Sequence, residues 1–232
     1  MKLPRTCSVT TPAALATRFH PARCELRDFQ AYCDPGTLCT MTSDPAQELG
    51  AIAAATARDR ALIAAHGQRG ENMAEAPDKI AALLDATRVL ESLAVPYALV
   101  GGVAVGIHSG VPRATADTDI AVLSTVDRAA LGRALTQAGF RLMGDFQHSS
   151  NFRHHSGEPV RFVFDSAFDP MIQHAEHFVV AGASIAIVRK PDLIVMKQRA
   201  ATDPARRRSK ALRDQADVEL LRGDVPEPDE GW

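Results

Sequence analysis

The chain has 232 residues, of which 46% are hydrophobic and 23% charged, and its formal net charge is −2. This composition is typical of a globular protein with one main core, and the near-neutral charge gives no indication of general nucleic-acid or membrane binding. Neither an apolar run of about 18 residues nor a secretory signal is recognisable, so the sequence predicts a cytoplasmic protein without a membrane partner.

The first 75 residues differ in character from the rest. Their four cysteines lack the two-residue spacing of a zinc knuckle, although His20 lies among them, so free thiols are favoured over a zinc site; they are Cys7, Cys24, Cys33 and Cys39. The alanine-rich run "AQELGAIAAATARDRALIAAHGQ" favours a helix with little to bury. Residues 1–75 are therefore interpreted as an N-terminal extension, partly helical or disordered, with no assigned function.

From Pro77 the hydrophobic pattern becomes regular. A helix with Pro77 in its first turn is followed by a strand at Tyr97–Val100, a short helix over Val103–Ser109 and a strand over Thr118–Leu123. Ser124 followed three residues later by an aspartate predicts a capping box for the next helix, which ends near residue 139.

The second half of the chain continues this alternation. Two strands are predicted on either side of the turn-like segment "HHSGEP", and a further strand over Ala183–Val188 leads into a helix. A last helix over Ala205–Arg222 ends at Gly223, and residues 224–232 form an acidic tail. The predicted fold class is α/β, with a mixed sheet and helices packed against it.

Two aspartates interrupt an apolar run at Asp117 and Asp119. In a strand these positions point to the same face, about 7 Å apart, and two carboxylates so close repel one another unless a cation compensates. Mg²⁺ is the natural compensating ion because it prefers oxygen ligands and leaves coordination places for phosphate. The alternative is structural: Asp117 lies in the preceding loop and Asp119 on an exposed edge strand.

Neighbouring residues favour the functional alternative. Gly101 and Gly102 follow a strand and open a helix, where glycine lets the backbone approach a ligand and the helix presents free N–H groups to an anion. Arg113 and Thr115 complete "RATADTD" and place a phosphate-binding cation just ahead of the carboxylates. A single segment thus combines residues for phosphate and for metal.

A two-metal site needs a third carboxylate on a neighbouring strand. The segment "VRFVFD" ends in Asp165, which shares a face with Arg161 and Val163. Asp169 is the competing residue, but "SAFDP" has the composition of a loop, so Asp165 is preferred.

The glycine pair, a spacer of 14 residues, Asp-Thr-Asp and a later strand aspartate resemble the DNA polymerase beta-like nucleotidyltransferase superfamily. The string "GGVAVGIHSGVPRATADTDI" is most similar to abortive-infection nucleotidyltransferase toxins of type IV toxin–antitoxin systems and their bacterial relatives. The resemblance extends over roughly residues 77–223, and it implies a minimal nucleotidyltransferase fold at residues 76–223 behind the N-terminal extension.

The resemblance also implies roles for individual residues. Gly101 and Gly102 would bind the NTP, with Arg113 and Thr115 beside them, and Lys197 would assist the phosphates; a solvent-exposed helix lysine is the equal alternative for Lys197. The metal ligands and catalytic residues would be three carboxylates, namely Asp117, Asp119 and Asp165. The implied activity is Mg²⁺-dependent transfer of an NMP from an NTP to an acceptor.

Several points stay open at the level of sequence. The acceptor is a tRNA or other RNA, a protein or a small molecule such as an antibiotic, and an antitoxin is a possible partner. A non-catalytic nucleotide- or partner-binding module with the same fold is the alternative function; loss of one carboxylate or of the glycine pair would mark it. His108 is expected to pack within a helix, His154 and His155 to be exposed, and the run "RRRSK" to be a solvated basic face rather than an RNA contact.

Overall fold

The computed structural model describes residues 44–66 and 77–224. The seven strands are β1 (Tyr97–Val100), β2 (Thr118–Val122), β3 (Phe140–Phe146), β4 (Ser149–His154), β5 (Pro159–Val163), β6 (Glu176–Val180) and β7 (Ala183–Ile187). The described α-helices are α1 (Pro45–His66), α2 (Lys79–Ser92), α3 (Gly101–Ser109), α4 (Arg128–Gln137), α5 (Asp169–Gln173), α6 (Lys190–Thr202) and α7 (Arg208–Arg222). The four cysteines and residues 225–232 lie outside the described residues.

The strands form one mixed sheet in the order β3-β4-β5-β2-β1-β7-β6. β2 pairs in parallel with β5 and antiparallel with β1, and β1 pairs in parallel with β7. The two ends of the sheet are antiparallel: β3 and β4 continue outward from β5, and β6 follows β7. The predicted α/β class, a mixed sheet with packed helices, is confirmed.

The two strands at the edges of the sheet, β3 and β6, were not predicted from the sequence. In β3 only Phe140 is buried, and in β6 only Val180 is buried. An edge strand has a neighbouring strand on one side alone and buries few side chains, so its alternation of polar and apolar residues is weak. Among the inner strands, β1, β2 and β7 carry the buried apolar runs that the sequence pattern detects.

The predicted capping box before α4 is wrong in one respect. Asp127 is itself the N-cap, and its carboxylate accepts hydrogen bonds from the backbone N–H groups of Ala129 and Ala130. Ser124 instead bonds the carboxylate of Asp169, through its backbone N–H at 2.9 Å and its hydroxyl at 2.7 Å. The first residues of α5 are thereby attached to the end of β2.

Helix α1 belongs to the same hydrophobic core as the sheet. Leu49 and Ile52 are fully buried, and the side chain of Ile52 occupies the space beside Gly106 of α3, where a Cβ would collide with it. The prediction that this helix has little to bury is therefore wrong: a few apolar side chains suffice because alanine and glycine let the two helices approach closely. None of the described helices is both long and apolar enough to span a bilayer.

Candidate functional site

The glycine pair lies at the junction between β1 and α3. Gly101 has a φ of +72°, and a Cβ on it would overlap the carboxylate of Asp119. A Cβ on Gly102 would lie 3.2 Å from the Cγ2 of Thr115, tighter than most such contacts. Position 101 favours glycine both for its left-handed backbone conformation and because the Asp119 carboxylate leaves no room for a Cβ. The fold therefore brings the glycines, Thr115 and Asp119 together.

Asp119 lies on β2, the central strand of the sheet, and Asp117 is the second residue before it. The structural alternative is right for Asp117, which precedes the strand. It is wrong for Asp119, which lies on an inner strand and is only partly exposed. Burial, and then repulsion from the Asp117 carboxylate, raise the pKa of Asp119 to about 6, against smaller opposing effects of Arg161, Lys197 and Lys79. The carboxylate is held in a position that disfavours its charged form.

The two carboxylates fit a hard divalent cation. Within residues 44–66 and 77–224 neither side chain forms a hydrogen bond or a salt bridge; the hydroxyl of Thr115 donates to the main-chain carbonyl of Asp117 instead, at 2.6 Å. Two carboxylates with free oxygens, whose repulsion a cation would relieve, form the donor set that Mg²⁺ prefers. Asp117 and Asp119 are the residues that would hold it.

A buried network of charges lies behind the site. Asp217 of α7, fully buried, forms salt bridges with Arg113 and, at 2.8 Å, with Lys197. Lys197 also contacts Asp214 at 3.0 Å, and Arg206 contacts the same carboxylate at 2.6 Å. Three cations share two carboxylates, so the network is positive in sum.

This network settles how Lys197 is placed. Its side chain is only 13% exposed, so the solvent-exposed alternative is wrong. The positive charges of Lys197 and Arg113 are held beside the loop that carries Asp117, and Lys197 acts on the pKa of Asp119. Their predicted contact with phosphate stays a prediction. Arg206, within the run predicted to be a solvated basic face, is half-buried and ion-paired, whereas Arg207, Arg208 and Lys210 are exposed.

The structure does not bring Asp165 to the aspartate pair. In the parallel register of β2 and β5, Asp119 lies opposite Arg161, and Asp165 follows four residues later, roughly 13 Å further along the strand direction. The Asp165 carboxylate caps a short 3₁₀ turn, Ser166–Phe168, and accepts from the backbone N–H of Ala167 at 3.0 Å. Asp169, the competing residue, is engaged by Ser124.

Helix α1 supports the loop before Asp117. The hydroxyl of Thr56 accepts a hydrogen bond from the backbone N–H of Thr115 at 3.2 Å, and Arg60 donates to the carbonyl of Ala116 at 2.9 Å. Arg60 also forms a 2.9 Å salt bridge with Glu158, which is fully buried and pairs with the buried Lys79 of α2. Sequence reasoning missed these supporting residues because they act across 56 or more positions of the chain.

A cleft of about 670 Å³ opens beside Asp117 on the sheet. Its polar and charged lining includes Asn151, Arg153, Arg161 and Lys210. The side-chain oxygen of Asn151 is buried and accepts no hydrogen bond from the described residues. Asn151 pairs with Arg161 in the register of β4 and β5, so Asn151, Arg161 and Asp119 follow one another across three adjacent strands.

The three histidines singled out in the sequence are His108, His154 and His155. His108 is buried, as predicted, and its Nε2 lies 2.7 Å from the carbonyl oxygen of Val188; burial lowers its pKa. The predicted exposure is wrong for His154, which is buried and lies within hydrogen-bond distance of Ser156 and Asp85, and right for His155. The ligand atoms of Asp85, His154 and His155 all lie within 4.8 Å of one another. Two of these residues already contact each other, since the Nε2 of His154 lies 3.1 Å from the carboxylate of Asp85.

Comparison with known proteins finds matches among solved structures. No protein-family model and no curated protein matches the chain. Among solved structures, the antibiotic-resistance factor ANT(2'')-Ia is similar at 17% identity over 63% of this chain and 90% of that chain, with a TM-score of 0.44. A nucleotidyltransferase-like antigenic protein from Paracoccidioides brasiliensis is similar at 23% identity over 62% of this chain and 74% of that chain, with a TM-score of 0.45. The lincosamide antibiotic adenylyltransferase LnuA, bound to lincomycin, is similar at 14% identity over 62% of this chain and 97% of that chain, with a TM-score of 0.44.

Proposed function

We propose that this chain is a Mg²⁺-dependent nucleotidyltransferase that moves an NMP from an NTP to an acceptor. The observation that carries the proposal is the contact between Gly101 and Asp119. A turn at positive φ that leaves no room for a Cβ lies directly against a partly buried carboxylate whose pKa is raised to about 6. A purely structural aspartate would have hydrogen-bond donors around it, whereas Asp119 has none among the described residues.

The residues of the site have separable roles in this proposal. Mg²⁺ held by Asp117 and Asp119 would supply charge neutralisation on the triphosphate, which is the main demand of phosphoryl transfer. No side chain of the described residues caps the first turn of α3, so its N–H groups are open to a phosphate oxygen, and Gly102 lets that oxygen approach. Arg113 and Lys197 add positive charge behind it. An acceptor nucleophile forms a bond to the α-phosphorus while the bond from that phosphorus to the bridging oxygen of the β-phosphate breaks; pyrophosphate leaves, and the acceptor's proton passes to water.

The cleft beside Asp117 is the place where we put the acceptor. Its lining carries the exposed arginines Arg153 and Arg161 and the exposed Lys210, so an acceptor with negative charge or many hydrogen-bond acceptors is favoured. The RNA, protein and small-molecule classes all remain compatible with this lining. The role as a toxin, the antitoxin partner and the cytoplasmic location stay predictions of the sequence.

A second candidate function is supported by one observation. Arg161, rather than a carboxylate, lies opposite Asp119 on β5, and Asp165 and Asp169 are engaged elsewhere. The absence of a third carboxylate from that position would suit a module that binds a nucleotide without transferring it. The two candidates share the nucleotide site and differ in whether a covalent product forms.

Each labelled NTP, incubated with Mg²⁺, the protein and total cellular RNA or lysate, tests the two candidates together. We expect label in an acceptor with the wild type and a loss of at least a hundredfold with Asp119→Asn, because the variant removes the charge that holds the cation. Asp59→Asn, at an exposed position of α1, is the matched control and should retain full transfer. Nucleotide binding without any labelled product would establish the non-catalytic candidate, and absence of binding to all four NTPs would contradict both.

A further inference from the structure

A positively charged side chain occupies the position beside Asp119 on the neighbouring strand, β5. Paired residues of adjacent strands project to the same face with their Cβ atoms about 5 Å apart. The partner of Asp119 on β5 is Arg161, and the next residue pairs on that face are Ala121 with Val163. Arg161 is exposed and lines the cleft next to Asp117.

A second divalent cation would need a further carboxylate near the pair. The acidic residues at the end of β5 are used elsewhere: Asp165 caps the 3₁₀ turn and Asp169 bonds Ser124. Glu158, near the start of the same strand, is fully buried and bound by Lys79 and Arg60. Asp214 and Asp217 are held by the network that contains Lys197. Among these acidic residues and the aspartate pair, Asp117 and Asp119 are the two whose carboxylates have no hydrogen bond or salt bridge to a described residue.

Arg161 opposes a second cation by its own charge. A guanidinium stays protonated at any working pH, and its five N–H groups match the geometry of phosphate oxygens. It already acts on Asp119, lowering the pKa that burial and Asp117 raise, yet the two side chains form no salt bridge. A charge placed there stabilises an anion in the cleft and repels a metal ion.

We propose that the site binds one divalent cation, between Asp117 and Asp119, and that Arg161 occupies the place of a second cation's ligand. This inference rests on the proposed function, since it takes the aspartate pair as the cation site. Arg161 then supplies, as a fixed side chain, positive charge that a two-metal site obtains from its second ion. The site differs in this respect from one with three carboxylates.

Binding of Mn²⁺ alone, measured at pH 7.5 from the electron paramagnetic resonance signal of the free ion, tests the inference. We expect one Mn²⁺ per chain for the wild type and two for Arg161→Glu, which places a third carboxylate beside Asp119. Arg141→Glu is the matched control, because Arg141 is an exposed arginine of the same sheet, three strands away from β2, and it should leave one Mn²⁺ bound. Circular dichroism and a thermal melt verify that each variant is folded.

A neutral substitution keeps the test independent of the folding of Arg161→Glu. Arg161→Gln removes a like charge near the cation, so the Kd for Mn²⁺ should fall by about threefold to tenfold, whereas Arg141→Gln should leave it within twofold. Two Mn²⁺ bound by the wild type, or one bound by a folded Arg161→Glu, would overturn the inference alone. No Mn²⁺ bound by the wild type, or binding unaffected by Asp119→Asn, would overturn the proposed cation site together with the inference.

Discussion

The hydroxyl of Thr56 on α1 accepts a hydrogen bond from the backbone N–H of Thr115, 59 residues further along the chain. This bond ties the helix to the loop that leads into Asp117 and Asp119. Arg60, one turn later, fixes the same loop through the carbonyl of Ala116. Because α1 also buries Leu49 and Ile52 in the core, we propose that the domain begins at this helix, near residue 44, rather than at residue 76.

Removing the hydroxyl of Thr56 should loosen the loop. Thr56→Val keeps the shape of the side chain but leaves the Thr115 N–H without its partner, which costs roughly 1–3 kcal/mol in the free energy of unfolding. We also expect weaker Mn²⁺ binding, by about threefold to tenfold, because the loop positions Asp117. Urea denaturation and a Mn²⁺ titration measure the two effects.

Thr136→Val is the control for this substitution. Both threonines donate their hydroxyl to the carbonyl four residues earlier, at 2.8 Å, but Thr136 is exposed on α4 and accepts nothing from another segment in the described part of the chain. Its stability should change by less than about 0.5 kcal/mol, and its Mn²⁺ binding should be that of the wild type. Equal effects of the two substitutions would mean that the hydrogen bond to Thr115 does not position the loop.

A side chain at Gly101 should displace the carboxylate of Asp119. Gly101→Ala forces alanine into a left-handed backbone conformation, costing about 1–2 kcal/mol, and its Cβ overlaps the Asp119 carboxylate. Gly182→Ala carries the same backbone penalty, at a φ of +80°, but its Cβ meets no described atom within 4 Å. Calorimetry with Mn²⁺ should therefore show at least tenfold weaker binding for Gly101→Ala alone, and similar losses in both variants would refute the role of the contact.

The part of the site that sequence could predict is the part built from one short segment. Gly101, Gly102, Thr115 and Asp119 belong to a strand–helix–loop–strand unit, and local pattern determines that such a unit brings its turns together. The third carboxylate depended instead on the register between β2 and β5, two strands separated by α4, β3 and β4. Alternation predicts which residues of β5 share a face, but nothing in the sequence sets how far one strand slides along another.

The same distinction separates the predicted from the missed elements of the fold. An inner strand such as β1 can be predicted from its fully buried apolar run. The edge strands β3 and β6 expose most of their side chains and lack such a run. Helix α1 was predicted, but its place in the core was not, because packing of Ile52 over Gly106 is decided by close approach and not by the strength of an apolar stripe.

The buried ion pair of Lys79 and Glu158 should be costly to break from one side. Glu158→Gln removes the negative charge opposite the buried Lys79 ammonium, which then has only neutral partners among the described residues, such as the hydroxyl of Thr118 at 3.3 Å. The free energy of unfolding should fall by about 3–5 kcal/mol. The double variant Lys79→Met/Glu158→Gln should be more stable than Glu158→Gln alone, since no fully buried charge is left unpaired; Arg60, which also pairs with Glu158, is partly exposed to water. Chemical denaturation of the single and double variants gives the coupling energy.

An exposed ion pair provides the comparison. Glu219 and Arg222 on α7 lie 3.2 Å apart with about half of each side chain exposed, and Glu219→Gln should change stability by less than about 1 kcal/mol. If Glu158→Gln proved as mild as Glu219→Gln, the contact between α2 and β5 would not be the buried charge pair described above.

The pH dependence of stability should identify Asp119 in the metal-free protein. Its pKa is raised from 3.8 to about 6, so between these values the native state binds more protons than the unfolded state, and the free energy of unfolding falls as the pH rises. Above about pH 6 the loss is complete, on the order of 1–3 kcal/mol. Asp119→Asn removes this loss, so in EDTA the variant should gain stability over the wild type between pH 4 and pH 6 and keep the gain at pH 7.5.

Urea denaturation at pH 4 and pH 7.5, with and without Mg²⁺, measures these differences. At pH 7.5 added Mg²⁺ should raise the stability of the wild type and leave Asp119→Asn nearly unchanged, because a ligand that binds only the native state stabilises it by mass action. Asp59→Asn should follow the wild type throughout. A gain from Asp119→Asn that is the same at both pH values would show that the substitution acts through packing, and an equal response of both proteins to Mg²⁺ would remove Asp119 from the cation site.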